Sequence, residues 1–154
     1  MHIKIICIGK IKKSYWQDAA TTYIQRIQRF CSLKIIELKD GPKHLPPQER
    51  MQVEAQAIQA KTSSQNIIIC LDSHGRSLAS SQLALRAKSW LETPGKTPCF
   101  VLGGAYGLPA HLIDQSTSTL SLGPMTLPHE LARIVLLEQL YRAFTIIHNH
   151  PYHH

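Results

Sequence analysis

Three turns, two of them rich in glycine or proline, could form a ligand site. They are CLDSHGRS (70–77), VLGGAYGL (101–108) and LSLGPMTLPHE (120–130), and each follows an apolar run of strand character. Glycine lets a backbone bend sharply and approach a ligand closely. Ligands of open α/β sheets bind at the carboxyl ends of the strands. The turns therefore predict a small-molecule site lined by backbone; the alternative is that each is only a turn that needs glycine.

The chain ends in HNHPYHH (148–154), which holds four of its nine histidines. This segment could be a metal site, a frayed end or part of an active site. Metal ligation needs histidines on a rigid frame with supporting hydrogen bonds. A terminal run offers little of either, so an active-site role is the favoured interpretation.

Familiar motifs do not identify the ligand. The P-loop, the GxGxxG fingerprint of dinucleotide-binding domains, HExxH and GxSxG are all absent from the sequence. Asp72 follows a strand and could hold a ribose, as in dinucleotide-binding domains. From the residues alone, the chain is a basic α/β protein with a ligand crevice lined by backbone.

The elements that must position these turns alternate along the chain. Apolar runs predict strands at 2–9, 33–38, 66–72, 98–104 and 118–123. Segments of helical period predict helices at 14–30, 47–61, 80–92, 109–115 and 128–145. This alternation predicts a single α/β domain, residues 1–154, with a mostly parallel sheet and helices on both faces.

Composition narrows the class of protein. The residues are 44% hydrophobic and 18% charged, and no apolar run approaches the ~20 residues of a membrane span. A soluble, cytoplasmic protein is expected, with four scattered cysteines acting as buried thiols. The formal charge of +7 favours a polyanionic partner such as RNA.

The last predicted helix is apolar on all sides. Its residues 134–137 are Ile, Val, Leu and Leu in succession, whereas a surface helix of a small monomer keeps one polar face. A homodimer that packs on this helix is favoured over a helix buried within one chain.

Several motifs in the chain resemble those of one family. They are GKIKKSYW (9–16), LDSHGR (71–76), LGGAYGL (102–108), MTLPH (125–129), RIVLLEQLYRA (133–143) and HPYH (150–153). Together they resemble the bacterial 23S ribosomal RNA pseudouridine N3-methyltransferases of the SPOUT class. The terminal HPYH after YRA is the most specific of these motifs.

The resemblance implies a SPOUT-type α/β fold with a C-terminal trefoil knot, a homodimer, and S-adenosylmethionine as cofactor. The positions that match the family's cofactor contacts fall on the three turns. They are Leu71, Gly103, Leu122, Gly123, Pro124, Met125, Thr126 and Leu127. At Gly103 a side chain is expected to occupy the space of the ligand.

The implied reaction moves a methyl group from a sulfonium to N3 of a pseudouridine in 23S rRNA, within the large subunit or the 70S ribosome. No metal is expected, because a sulfonium is already a strong electrophile. The protein must align the reactants and help N3 to lose its proton.

Candidate groups for this chemistry lie on the last helix and the tail. His129 and Arg133 share a helix face and are expected to bind substrate. Arg142 points to the opposite side from Arg133, so in a dimer one of the two could reach the local site and the other the partner's. Arg142, Tyr152 and His153 are expected to be catalytic, with the last two folded over the cofactor edge. The alternative for Arg142 is a salt bridge to Glu138.

Two other functions stay open on sequence grounds. A non-catalytic module that binds RNA or the ribosome would explain the charge but not the three turns. A dinucleotide-dependent oxidoreductase would explain Asp72 but lacks the fingerprint.

Overall fold

The structure, a computed structural model, describes residues 1–152 of the 154. In this part of the chain, strands and helices alternate as the sequence predicts. The strands are β1 (His2–Ile8), β2 (Ser32–Leu38), β3 (Asn66–Ser77), β4 (Thr97–Leu102) and β5 (Ser118–Ser121). The helices are α1 (Ser14–Ile27), α2 (Pro47–Gln59), α3 (Ser80–Leu91), α4 (Ala110–Asp114) and α5 (His129–Ile147).

The five strands form one parallel sheet in the order β2-β1-β4-β3-β5. In β1, Ile5 is paired with Ile35 of β2 on one side and with Phe100 of β4 on the other. Because all strands run in the same direction, their carboxyl ends lie at one edge of the sheet. The loops after the neighbouring strands β4, β3 and β5 therefore converge there.

Helices cover both faces of the sheet, which confirms the predicted fold class. Successive residues of a strand face opposite sides. Ile5 packs with α1, α3 and α5 in one core, whereas Ile6 packs with α2 and α4 in the other. Strands buried on both faces need the continuous apolar runs seen in the sequence. No helix among residues 1–152 is long and apolar enough to cross a membrane.

The four cysteines are buried free thiols. Burial raises the pKa of Cys7 to about 12 and the pKa of Cys31, Cys70 and Cys99 to about 11. They therefore stay protonated and pack as small apolar side chains, as expected from the sequence.

Helix α5 owes its apolar composition mainly to burial within its own chain. It packs between α1 and α3 against the sheet, and Leu136, Leu137 and Leu140 are completely buried. Its outward stripe still holds two apolar side chains, Leu131 and Val135, both only partly buried. Three of the four consecutive apolar residues, Ile134, Leu136 and Leu137, are thus explained by packing inside one chain, and the homodimer stays a prediction.

Strand β3 is longer than predicted. Leu71 and Arg76 are both paired with Leu120 of β5, so the residues between them form a bulge. Gly75 permits this close approach: an added Cβ would lie 3.0 Å from the backbone nitrogen of Leu120. The apolar run ends at Leu71, and hydrophobic period therefore could not predict the second half of the strand. The trefoil knot stays a prediction.

The packing of α5 predicts the effect of truncating Leu137. Leu137→Ala should lower the free energy of unfolding by about 2–5 kcal/mol, because it leaves a cavity between α5 and the sheet. The matched control is Leu85→Ala on α3, whose side chain is 72% exposed and whose loss should cost at most about 0.5 kcal/mol. Urea denaturation measures both. Equal effects of the two substitutions would contradict the packing described.

Candidate active site

An open cavity of about 220 Å³ lies at the carboxyl ends of β4 and β5 and at the bulge of β3, beside the start of α5. Its lining comes from residues 71–73, 102–105, 107, 120, 122–123, 125–127, 129 and 132. Every one of the three turns contributes to it. The parallel sheet brings them together because their strands are neighbours.

Most of the residues matched to cofactor contacts line this cavity. They are Leu71, Gly103, Leu122, Gly123, Met125, Thr126 and Leu127. Pro124 belongs to the same segment, but it is exposed and lies outside the lining. The structure thus brings residues from three distant parts of the sequence to one place. Their role in binding a cofactor stays a prediction.

The loop after β4 is a tight turn that depends on glycine. Gly107 donates a backbone hydrogen bond to Gly104 (3.1 Å) and has a φ of +76°. A Cβ at Gly103 would lie 2.5 Å from the backbone of Gly107. A side chain at Gly103 would therefore collide with the protein's own loop, and its expected clash with the ligand stays a prediction.

Ser121, at the end of β5, connects two walls of the cavity. Its buried hydroxyl lies 3.2 Å from the carbonyl oxygen of Ser73 in the β3 bulge. The Ser121 hydroxyl oxygen in turn accepts a hydrogen bond from the backbone N–H of Gly123, at 3.1 Å. Gly123 has a φ of +122°, which an L side chain rarely adopts. The turn into the 122–128 segment is therefore fixed by both a side chain and a glycine.

His129 stands at the start of α5 and lines the cavity. Its Nε2 lies close to Gly9, the residue after β1: a Cβ built there would be 3.7 Å away. The next residue, Glu130, accepts a hydrogen bond of 2.6 Å from the backbone N–H of Lys12. The start of α5 is thus anchored to the β1–α1 loop, with the imidazole at the cavity.

Arg133 is not at the cavity but buried beneath α5. Its guanidinium forms an ion pair with Glu37 of β2 (2.7 Å) and donates a second hydrogen bond to the carbonyl of Gly9 (2.7 Å). Its side chain is only 4% exposed. It ties α5 to β1 and β2 at Gly9, next to which His129 also lies, but it does not line the cavity.

The described part of the tail caps α5 and folds back along it. Asn149 has a φ of +53°, and its N–H and that of His150 bond to the carbonyls of Ile146 and Thr145. This is a Schellman motif, which ends a helix and satisfies its last carbonyls. The ring of His148 also packs on Phe30, with 4.9 Å between the ring centroids. These residues are a helix cap rather than a frayed end.

Arg142 and Tyr152 meet at Glu138. Arg142 donates two hydrogen bonds to one oxygen of Glu138, at 2.6 and 3.0 Å. The guanidinium lies over the Tyr152 ring (5.1 Å), and the phenol donates to the same carboxylate oxygen at 3.3 Å. The hydrogen bond to Glu138 raises the pKa of Arg142 above its usual value. The salt bridge left open as an alternative for Arg142 is therefore present.

The Tyr152 phenol is held in its neutral form. Burial, together with the neighbouring phenol of Tyr23, raises the pKa of Tyr152 to about 12. The ring also packs on Tyr141, with 4.6 Å between centroids. Tyr152 accordingly lies on its own α5 and does not fold over its own cavity, which corrects that expectation for a single chain. His153 lies outside the described residues.

The predicted site residues fall into two groups at opposite ends of α5. Arg142 follows His129 by 142 − 129 = 13 residues, which at a helical rise of about 1.5 Å per residue is roughly 20 Å. Within one chain, Arg142 and Tyr152 are therefore too far from the cavity to act in it.

Known proteins similar to this chain identify its family. The model described as predicted SPOUT methyltransferase matches residues 1–153. The chain belongs to the SPOUT methyltransferase family. Two relatives, each named ribosomal RNA large subunit methyltransferase H, cover 99% of this chain and 97% of their own length. The one from Nitratidesulfovibrio vulgaris Hildenborough is 44% identical, and the one from Maridesulfovibrio salexigens is 42% identical.

A solved structure agrees on the fold. It is that of a probable methylase family protein from Haemophilus influenzae Rd KW20, with a TM-score of 0.55 and 15% identity. It covers 96% of this chain and 68% of its own. As a member of a methyltransferase family, this protein requires a methyl donor, and membership disfavours both the non-catalytic module and the oxidoreductase.

Some residues of this SPOUT methyltransferase cavity were not singled out from the sequence. Ser73, Leu102 and Ala105 line it alongside their predicted neighbours. Their position in strand-end turns was the available signal, since a whole turn lines a cavity rather than one residue of it. For Ser121 there was no signal, because a serine in a strand is ordinarily a surface residue.

Within residues 1–152, no three His, Cys, Asp or Glu side chains are grouped so that they could hold a metal ion. Within the same part of the chain, His148 and His150 are instead engaged by Phe30, whose ring lies 4.9 and 5.6 Å from theirs.

The tight turn after β4 predicts the outcome of substituting Gly103. Gly103→Ala should weaken binding of the methyl donor at least tenfold, because the new Cβ displaces the backbone of Gly107 and with it a cavity wall. The control is Gly95→Ala. That site has a φ of +69° and no atom within 4 Å of an added Cβ, so it should lower stability but not affinity. Calorimetry and thermal unfolding separate the two effects. Unchanged affinity in Gly103→Ala would show that the loop does not shape the site.

Proposed function

We propose that this SPOUT methyltransferase, a single domain of residues 1–154, uses S-adenosylmethionine to methylate N3 of a pseudouridine in 23S rRNA. The large ribosomal subunit or the 70S ribosome is the proposed substrate, and the cytoplasm the proposed location. The observation that carries the proposal is the cavity, where the three turns that match the family's cofactor contacts meet. The relatives named as large subunit rRNA methyltransferases support the choice of RNA.

The cavity's chemistry suits S-adenosylmethionine. Apolar side chains at Leu71, Leu122 and Leu127 can flank the adenine, as lining residues of this cavity. Residues 122–128 belong to no helix or strand, so their backbone groups make no ladder hydrogen bonds. Pro124 and Pro128 have no N–H and the N–H of Gly123 is donated to Ser121, which leaves the other backbone groups of the segment to bind polar edges of the ligand. Asp72 is an acceptor suited to ribose hydroxyls, and its carboxylate already accepts the N–H of His74 at 3.2 Å.

S-adenosylmethionine, when bound, supplies a methyl group on a positively charged sulfur. The protein must then hold the target base in line with that methyl group and favour the anionic form of N3. His129 lies at the cavity and can contact the incoming nucleotide. A guanidinium adds a permanent positive charge that stabilises the imide anion. Arg142 is the proposed source of that charge, but it lies at the far end of its own helix.

A homodimer resolves this separation. In a two-fold dimer both subunits use the same surface, and if one residue of the first subunit contacts another residue of the second, the reverse contact also forms. If the α5 helices cross in opposite directions, the partner's Arg142 and tail reach the cavity at the start of α5. The outward stripe with Leu131 and Val135 supports such an interface. So does Tyr15 of α1, which is 60% exposed. Each active site would then be composed of two chains.

Arg133 has a positioning role in this proposal. Because its guanidinium is buried against Glu37 and Gly9, it fixes the start of α5 relative to the sheet rather than contacting RNA. It thereby sets the position of His129, four residues earlier on the same helix. Arg133 could contact the substrate directly, as expected from the sequence, only if its ion pair with Glu37 were broken.

The function is tested directly on rRNA. Mass-spectrometric mapping of 23S rRNA from cells with and without the gene should find one pseudouridine that carries a methyl group only when the gene is present. Identical maps would contradict the proposal. Calorimetry with S-adenosylmethionine and with NAD should show binding of the former alone.

The composite site predicts complementation between two inactive variants. Gly103→Ala damages the cavity and Arg142→Ala removes the cation. In a mixed dimer one site receives the intact cavity and the intact Arg142. Random mixing makes about half of the dimers mixed, each with one of two sites intact, so activity should recover to about a quarter of wild type.

The control pairs Arg142→Ala with a chain that lacks residues 151–154. Both changes damage the same half of the site, and mixing them should restore nothing. Recovery in this control pair, or none in the first pair, would contradict a site composed of two chains.

Deleting residues 151–154 should slow methyl transfer about a hundredfold or more, because Tyr152 and His153 are then lost from the site. The Schellman motif at Asn149 and His150 remains, so α5 should still end normally. Affinity for S-adenosylmethionine should change at most a few-fold. Single-turnover methylation on ribosomes at saturating cofactor is the measurement, with light scattering to verify the dimer. A rate equal to that of the full chain would exclude a role for the tail.

A further inference from the structure

Tyr106 presents an exposed aromatic ring on the outer side of the cavity loop. It sits between Ala105 and Gly107, which line the cavity, yet its own side chain is not in the lining and is 51% exposed. The guanidinium of Arg50, from α2, lies 5.6 Å from the centre of the ring. A large exposed ring held by a cation is a surface that can accept a flat partner on its free face.

Arg50 also helps to hold the β2–α2 loop, residues 39–46, onto α2. Its Nε donates to the carbonyl of Gly41 (2.9 Å), and the N–H of Gly41 donates to the buried carboxylate of Glu54 (2.8 Å). Gly41 packs so tightly that an added Cβ would lie 2.6 Å from the Arg50 side chain. The backbone N–H and C=O of Gly41 are thus both hydrogen-bonded to side chains of α2.

Glu54 extends this contact to the cavity loop. Its two carboxylate oxygens lie 3.1 and 3.2 Å from where a Cβ of Gly104 would be. The β2–α2 loop and the cavity loop are therefore both packed on one short stretch of α2, from Arg50 to Glu54. We call the surface formed by residues 39–46, Arg50 and Tyr106 the α2 rim.

The α2 rim carries the groups that bind single-stranded RNA. Lys39, Lys43 and His44 are exposed in its loop, against the acidic Asp40 and the nearby Glu49. Lysines contact phosphates, while exposed aromatic rings stack on unpaired bases of RNA loops. The rim lies on the α2 face of the sheet, opposite α1 and α5. The proposed dimer therefore leaves it open.

We propose that the α2 rim binds the substrate RNA beside the target nucleotide: Tyr106, backed by Arg50, stacks on a neighbouring unpaired base, and Lys39 and Lys43 contact its phosphates. This rests on the proposed function. It adds a second RNA contact on the same chain as the cavity, whereas Arg142 and the tail come from the partner. Tyr106 would set how RNA binds and would leave the methyl transfer itself unchanged.

The first test compares Tyr106→Ala with Tyr106→Phe on ribosomes. Loss of one base stack predicts that Tyr106→Ala raises KM for ribosomes about tenfold, with kcat and affinity for S-adenosylmethionine within about twofold. Tyr106→Phe keeps the ring and should behave as wild type. An unchanged KM in Tyr106→Ala overturns the proposal, as does an equal defect in Tyr106→Phe. A fall in kcat alone would assign Tyr106 to the cavity wall and would also overturn it.

The second test uses salt and does not depend on Tyr106. Removing one phosphate contact should reduce the slope of log affinity against log salt by about 0.7 to 0.9. Lys43→Gln should therefore lower the slope for ribosome binding by this amount. Lys61→Gln, an exposed lysine just beyond the far end of α2, is the matched control and should not. Equal slopes for Lys43→Gln and wild type overturn the phosphate contact.

Failure of this inference is distinguishable from failure of the proposed function. If the wild-type protein leaves ribosomes unmethylated, the proposed function is wrong and the rim has no substrate of this kind. If the wild type methylates them while Tyr106→Ala retains its KM and Lys43→Gln its salt slope, only the rim is wrong.

Discussion

Burial of α5 between α1, α3 and the sheet is the constraint on which the arrangement of the site depends. Its apolar side chains occupy the centre of one core, so the helix can neither rotate nor slide without opening cavities there. Its first residue, His129, is thereby fixed beside the ends of three strands. Its last turn is fixed beside Phe30, where the Schellman motif reverses the chain. His129 and the pair formed by Arg142 and Tyr152 are thus held at opposite ends of this helix.

The buried Arg133–Glu37 ion pair restricts the position of α5 more narrowly than apolar packing does. Apolar contacts tolerate small shifts, but a guanidinium with two charged or polar partners at 2.7 Å does not. Arg133 Nε has no hydrogen-bond partner within the described chain and is fully buried, so the pair is incompletely satisfied. Such an arrangement contributes little net stability. Its effect is better understood as fixing the register of α5 on β1 and β2, and hence the position of His129.

The sequence predicted the elements because hydrophobic period follows directly from which faces are buried. It also predicted the cavity, since glycine-rich turns after neighbouring parallel strands must converge. Three features were beyond it. The second half of β3 has no apolar period, because its residues pair with β5 through a bulge around Gly75. Arg133 and Arg142 have the same residue type, and only packing decides that one is buried and the other partly exposed. Apolar side chains all around α5 are compatible with burial in one chain and with burial in a dimer, so the sequence could not decide between the two.

Glu138 decides what Arg142 and Tyr152 can contribute chemically. Its carboxylate accepts two of the five N–H groups of Arg142, which leaves three to donate to a substrate oxygen. The guanidinium is therefore anchored without being fully occupied. Tyr152, with its pKa raised to about 12, is ionised in only about one molecule in 10⁵ at neutral pH.

A phenol so rarely ionised is a hydrogen-bond donor and not a base. In the proposed composite site, Tyr152 and Arg142 would thus both favour the anionic form of N3 by donating to it. They would lower the pKa of the N3–H rather than remove its proton. The proton would then leave to water or to His129, which lies at the cavity on the other chain of the site. The far end of α5 keeps its protons because a guanidinium is always cationic and because burial, with the neighbouring Tyr23, keeps the Tyr152 phenol neutral. In the proposed site, the near end would therefore be the one to accept the proton.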